Sequence, residues 1–459
     1  MHFLLVAYDF PPIPSPQALR WAYLSRELVR SGHSVEVIAP DVPGYGPGGL
    51  PELPDEMVIR RVFPGRLTQL LLGRGRKSGG TPTSVSDSGD VTVSSTQAGG
   101  LPVVEVLNWK GRLRRSLEDA FRVRGGLNWK GHLAERIKGV VSDRFFPDYR
   151  VEWERHAIAA VHASIAARRP DVVVVSHEPA CTLPVGLAAA KKGFPLVVDL
   201  GDPVLAPYTP KKWRKRAFSL EAEVCRASMM VSVTTDAAVS VLQQRHSLPD
   251  SKLVVVQQGF NPDFRTSEAS GDGLFDSEML ELLYTGSFYS FRGAQKLLDA
   301  VLALPGVRLS IATIRAPDYL EEYMQRSEGR IRLLGFLPHT VALAAQRRCD
   351  ILVNLANADP VQVPGKIYEY LGAGKPIMHL RGESQDATGV LVTTTCAGWD
   401  IASTLENIEL ALAEAIQIKK QGQLALRAPR REEVERYSWP SLASRWLSDV
   451  EAALQRQHG

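Results

Sequence analysis

Short, almost uninterrupted apolar runs alternate with stretches of helical periodicity along nearly the whole chain, and no other feature narrows the possible folds so far. HFLLVA (2–7) precedes a helical pattern over 16–31 closed by Gly32, and SVEVIAP (34–40) follows, which is a βαβ unit. VVVVS (172–176), PLVVDL (195–200), MMVSV (229–233) and LVVV (253–256) continue the series with helical stretches between them. Strands apolar on both faces are strands covered on both faces, so a parallel sheet is expected. A second series begins near 280, with LELLYTG, VRLSIA, IRLLG, DILVNL, KPIMHL and GVLVT as its expected strands. The fold expected is therefore α/β, with two Rossmann-like doubly wound parallel sheets facing a cleft. At 459 residues the chain is long enough for two cores. RTSEASGDGLFDSE (265–278) has linker composition and separates an N-terminal domain, 1–265, from a C-terminal one, 266–437. The last stretch, 438–459, has apolar residues at helical spacing and is expected to pack back on the N-terminal domain.

With 44% hydrophobic and 23% charged residues, the composition is that of a globular enzyme rather than a disordered or fibrous chain. The opening HFLLVAYDFPP is interrupted too early by Asp9 and two prolines for a signal peptide, and no run of about 18 apolar residues suggests a membrane span. Cys181, Cys225, Cys349 and Cys396 are scattered, which points to a reducing compartment, a cytoplasmic location and no structural zinc. Residues 73–100 are rich in Gly, Ser and Thr and are expected to form a disordered loop. After it LNWKGRL (107–113) recurs as LNWKGHL (127–133), within a basic helical insert spanning 107–144. Residues 108–144 hold ten Lys or Arg against four Asp or Glu, which accounts for the whole formal charge of +4. With Trp109 and Trp129 among those cations, the segment reads either as a peripheral contact with an anionic membrane surface, at the inner face of the plasma membrane, or as a solvated hairpin whose tryptophans pack inward. Nucleic acid is not an expected partner, since no recognition motif accompanies the charge.

Ligands of doubly wound sheets sit outside the carboxyl ends of the strands, so the chemistry is sought in TGSFYSFRG (285–293) and ADPVQVPGKIYEYLGAGKP (358–376). Pro364 suits a helix start and Gly372 and Gly374 a helix end, which places Lys366 in the first turn, where the helix dipole disfavours a cation. Lys366 reads as a diphosphate ligand whose cost an anion removes, or as a solvent-facing lysine. Glu369, one turn on, can accept two ribose hydroxyls or simply pair with Lys366. Gly286 lets backbone N–H groups approach a phosphate, and Arg292 supplies a mobile charge beside it. In the first domain Ser15 caps a helix that begins at Pro16, with Arg20 one turn in. That helix reads as an acceptor-phosphate site or as a capped helix whose Arg20 and Trp21 pack. His177, Asp199 and Asp202 fall at strand ends on the same edge, as site residues or as structural groups.

These residues also carry a resemblance. PGKIYEYLGAGKPI (364–377) is similar to the "P-x-K-x-x-E-Y-x-x-x-G-K-P" signature of the family 4 retaining glycosyltransferases of the GT-B fold. LLVAYDFPP, SGHSVEVIAP and FPDYRVEWERHA before DVVVVSHEP resemble further segments of that family, so the likeness spans nearly the whole chain. It implies transfer of a sugar from a nucleotide-diphosphate donor, with retention and without a metal or other cofactor, to a glycan, lipid-linked or small-molecule acceptor, in the setting of cell-envelope polysaccharide synthesis. Glu369 matches the second glutamate of the family's Glu-any-seven-Glu motif. The first falls at Val361, which leaves donor-sugar contacts to Gln362 and Val363 or to Asp359. The family's Arg-Lys pair falls at Ser287 and Arg292, so Lys366 is expected to replace the missing charge. The expected donor residues are thus Gly286, Ser287, Arg292, Gln362, Val363, Lys366 and Glu369, and the acceptor residues Ser15, Arg20 and Asp202. Arg292 and Lys366 would stabilise the leaving group, and His177 is the candidate general base. A catalytically silent sugar-nucleotide-binding module and another GT-B enzyme, such as a sugar-nucleotide epimerase, are the competing readings.

Overall fold

The structure, a computed structural model, describes residues 1–13, 15–42, 50–72, 145–207, 209–263, 273–286, 294–314, 316–357, 362–382, 384 and 386–458. The loop expected at 73–100, the insert at 107–144 and most of the 265–278 linker lie outside the described residues. Residues 1–66 and 150–459 form one compact unit that holds both sheets, and 67–149 cluster separately.

The first sheet has seven parallel strands in the order β3-β2-β1-β4-β5-β6-β7. They are β1 His2–Ala7, β2 Ser34–Pro40, β3 Val58–Val62, β4 Val172–Ser176, β5 Leu196–Gly201, β6 Met230–Val233 and β7 Leu253–Val255. Val35, Val37, Val172, Val173, Val174, Val197 and Val198 are all buried, as strands covered on both faces require. β3 (VIRRV) was not expected, because Arg60 and Arg61 break its apolar run and it lies at the sheet edge, partly exposed.

The second sheet winds the same way, β10-β9-β8-β11-β12-β13, from β8 Leu280–Thr285, β9 Val307–Ala312, β10 Ile331–Leu333, β11 Ile351–Leu355, β12 Ile377–Arg381 and β13 Gly398–Ala402. GVLVT is a correction: it lies within the helix Ala387–Thr394, whose N-cap Asp386 accepts a hydrogen bond from the Gly389 N–H. A short apolar run buries its side chains equally well in a helix, and here the cap decides. The sixth strand is instead β13, which opens at Gly398 (φ +133°), where an added Cβ would stand 2.1 Å from the Ile377 carbonyl oxygen.

The final helix, Trp439–His458, belongs to the core of the first sheet: Trp439, Leu442, Trp446 and Val450 pack with Phe3, Trp21, Leu24 and Leu28. Trp446 meets Trp21 edge-on at 5.8 Å, and Trp439 stacks on Tyr23 at 5.4 Å. The chain returns through Ser438, which forms a bridge with Phe260 on the outward crossing: the Phe260 N–H donates to the Tyr437 carbonyl (3.1 Å) and the Trp439 N–H to the Phe260 carbonyl (3.0 Å). The four cysteines are free thiols. Among the described residues no helix is long and apolar enough to cross a membrane.

Candidate functional site

Each sheet reverses its winding beside its first strand, between β1 and β4 and between β8 and β11, and the carboxyl ends of those strands are where a ligand fits. On the second sheet the helix Lys366–Ala373 starts at this edge. Gly365 is its N-cap residue, Gly374 ends it in the left-handed conformation (φ 68°), and Ile367, Tyr368, Tyr370 and Leu371 are buried beneath it. The buried Tyr370 hydroxyl accepts from the Thr285 N–H at 2.9 Å and so ties the helix to the end of β8.

Lys366, in the first turn, is half-buried. Its Nζ donates to the Thr285 carbonyl at 3.0 Å and lies 3.7 Å from the centre of the Tyr284 ring. Gly286 follows with φ +116°, and a Cβ added there would stand 3.6 Å from Lys366 Nζ. The ammonium is therefore folded against the strand end, next to Gly286. Glu369 stands 3.8 Å from His339 Nε2 at the start of the helix His339–Arg348. It also faces the first sheet's opening helix: burial pushes the Tyr23 phenol up, and the Glu369 carboxylate pushes it further. Beside Gly286 a pocket of about 160 Å³ is walled by Thr313, Ile314, Gly335, Phe336 and Leu337. Ile314 and Phe336 are exposed there, at 77% and 45%.

A second pocket, of about 190 Å³, opens between the two sheets. The first sheet contributes Gln17, Glu178, Gly201, Asp202 and Thr234, and the other side Gln258, Val363, Gly365 and Tyr368. Gln362 Nε2 donates to Asp202 Oδ2 at 3.4 Å, so a residue expected at the donor and one expected at the acceptor meet across the cleft. Glu178 has left-handed backbone (φ 70°), a costly conformation for a residue with a side chain. Its side chain reaches the open pocket, yet surrounding protein raises the carboxyl pKa, through burial first and the nearby Asp9 second, against the opposing pull of Arg150. Gln17 is 7% exposed, and its amide oxygen has no partner among the described residues. Gly201 (φ 64°) leaves room for that amide, since a Cβ there would stand 2.6 Å from Gln17 Nε2.

The other expected residues sit as follows. Ser15 caps the helix Pro16–Arg30, its Oγ accepting from the Ala18 N–H at 3.0 Å. Arg20 is completely buried and does not line the pocket, as in the reading of a capped helix whose Arg20 packs. Its Nε and Nη2 donate to Asp199 at 2.8 and 3.0 Å, and its Nη1 donates to the Gln257 carbonyl at 2.7 Å. Trp21 and Ser232 complete the coordination of Asp199. His177 is buried, and its Nδ1 lies 2.8 Å from the Leu200 carbonyl oxygen. A carbonyl only accepts, so Nδ1 carries the proton and Nε2 is the acceptor. Burial holds the imidazole below its ordinary pKa, and Glu178 rather than His177 lines the pocket. Ser287, Arg292, Asp359 and Val361 lie outside the described residues. Among the described residues no three His, Cys, Asp or Glu side chains gather as a metal site.

Sequence reasoning did not single out Gln17, Glu178 or Thr234. Glu178 follows His177 directly and Gln17 follows the capped Pro16, so adjacency to strand and helix ends was the available signal.

Residues 112–264 match Glycosyltransferase Family 4. No curated protein matches the sequence. Among solved structures, sucrose-phosphate synthase from Thermosynechococcus elongatus is similar with a TM-score of 0.62 at 13% identity, over 100% of this chain and 98% of that one. A glycosyltransferase from Rickettsia africae gives 0.57 at 13% identity, over 99% and 98%. A UDP-N-acetylglucosamine 2-epimerase of Listeria monocytogenes, described as putative, gives 0.53 at 12%, over 99% and 97%. Likeness at such identities is a likeness of fold, and the fold is GT-B.

Proposed function

We propose that this chain, a GT-B protein of the family 4 glycosyltransferase type, moves a sugar from a nucleoside-diphosphate donor to an acceptor, with retention and without a bound metal. The observation that carries this reading is Lys366: a half-buried ammonium in the first turn of a helix, folded against the end of β8 beside Gly286. A cation there opposes the helix dipole, and a diphosphate seated between Lys366 and the helix start removes the opposition. The pocket walled by Ile314 and Phe336 takes the base, since both present apolar surface to its faces. Glu369 accepts the ribose hydroxyls. Arg292, which follows β8 in sequence, adds the second positive charge, and together these groups stabilise the departing diphosphate.

The sugar then lies toward Val363, Gln362 and the pocket between the sheets. The described wall of that pocket offers hydrogen-bond acceptors, Glu178, Asp202 and the Gln17 amide oxygen, so it suits a neutral, hydroxyl-bearing acceptor group better than a phosphate. Glu178 holds the hydroxyl and receives its proton. His177 orients the end of β5 through its bond to Leu200.

Calorimetric titration with UDP, GDP and ADP tests the donor half. Lys366→Ala and Glu369→Ala should each weaken binding of the preferred nucleotide by about tenfold or more, the size of a lost charge-assisted hydrogen bond, with the melting temperature unchanged. Affinities equal to the parent's in both variants would remove the assignment. Release of nucleoside diphosphate from a panel of sugar nucleotides tests turnover.

A further inference from the structure

The segment Lys211-Lys212-Trp213-Arg214-Lys215-Arg216-Ala217-Phe218 holds five cations and no acid. All five cations are exposed, as is Phe218 at 41%, while Trp213 is half-buried. The run spans the short 3-10 turn Lys211–Trp213 and the first turn of the helix Arg214–Ala227. That helix is fixed in place from its inner side. Ala217, Glu221, Val224 and Cys225 are buried, and Glu221 accepts from the Leu205 N–H at 3.0 Å and pairs with Arg245 at 2.7 Å and His246 at 2.8 Å. The nearest following acid is thus engaged inside the protein rather than with these cations. Arg216 has Glu154 in its neighbourhood. Lys211, Arg214 and Lys215 form no ion pair among the described residues.

Cations gathered at a helix start work against its dipole, so helix stability does not account for them. The helix follows β5 in sequence, the strand whose end supplies Gly201 and Asp202 to the pocket between the sheets. We propose that this face docks on an anionic lipid bilayer, the cations meeting the headgroups and Phe218 and Trp213 entering the interface. Dense charge beside exposed aromatic surface is the combination such an interface holds, in electrostatic attraction and in apolar burial at once. The inference stands apart from the nucleotide reading, since it requires no donor.

Sedimentation of the full chain with vesicles of phosphatidylcholine, with or without phosphatidylglycerol, tests it. The protein should pellet with the anionic vesicles only and be released by added salt. The quadruple variant Lys211→Gln, Lys212→Gln, Arg214→Gln and Lys215→Gln should bind the anionic vesicles at least about tenfold more weakly, while keeping its circular dichroism and nucleotide affinity. Phe218→Ser should weaken binding with the salt dependence retained. Parent protein left in the supernatant, a quadruple variant that pellets like the parent, or anionic binding transferred wholly to RNA in competition would each overturn the proposal. Loss of nucleotide binding with vesicle binding intact would strike the donor reading alone.

Discussion

Arg20 and Asp199 show how one residue type supports opposite readings until its surroundings are known. An arginine one turn into a capped helix at the cleft edge is compatible with an anion site, but Asp199 on β5 and the Gln257 carbonyl engage it in the interior. Removing one partner of such a pair strands a buried charge, at a typical cost of about 3–5 kcal/mol. Arg20→Met is therefore expected to lower the unfolding free energy by that amount in urea titration, and a variant as stable as the parent would show the pair to be dispensable. His177 gives a pH signature. Its folded-state pKa lies below the ordinary 6.5, so the unfolded chain binds the proton first as the pH falls. The neutral imidazole's contribution is whole above that value and declines with acidification through the interval down to the depressed pKa. Thermal melts should show a smaller acid-side loss in His177→Asn than in the parent, and parallel curves would place the titration elsewhere. Ser15 and Lys366 were legible because a cap and a first turn are local patterns. Gln17 and Glu178 were not, because what sets them apart is an unmet hydrogen bond and a left-handed backbone, and neither leaves a mark in composition.

Among the elements, the helix Lys366–Ala373 was readable at its C-terminal end from Gly374, whereas it opens at Lys366 behind the N-cap Gly365, two residues later than Pro364 suggests. GVLVT was misread as a strand because its periodicity is compatible with both structures and the deciding contact is the Asp386 cap. By sequence Gly372 reads as part of the helix end, yet it lies inside the helix and serves packing. A Cβ there would stand 2.3 Å from Phe260 Cγ, so the helix and the crossing segment touch where only hydrogen fits. Gly372→Ala should destabilise by about 1–3 kcal/mol through overpacking, and Phe260→Leu in the same chain should restore part of the loss. Urea unfolding of the single and double variants measures this, and strict additivity would mean the contact is not the cause.

For the molecule as a whole, the two parallel sheets were legible because most of their buried strands are written as short apolar runs. The run at 211–216 was passed over, for the excess charge seemed fully explained by 108–144 until exposure separated a solvated cationic turn from the buried Glu221 behind it. The strand order was open to expectation only as a class, since pairing partners are set by long-range packing that short patterns do not encode.

The bridge between Phe260 and Ser438 has a consequence for movement. A lone tether lets two bodies swivel freely. Here two tethers run side by side, laced by main-chain bonds, and behave as a strap with width, which folds along its crease and resists wringing.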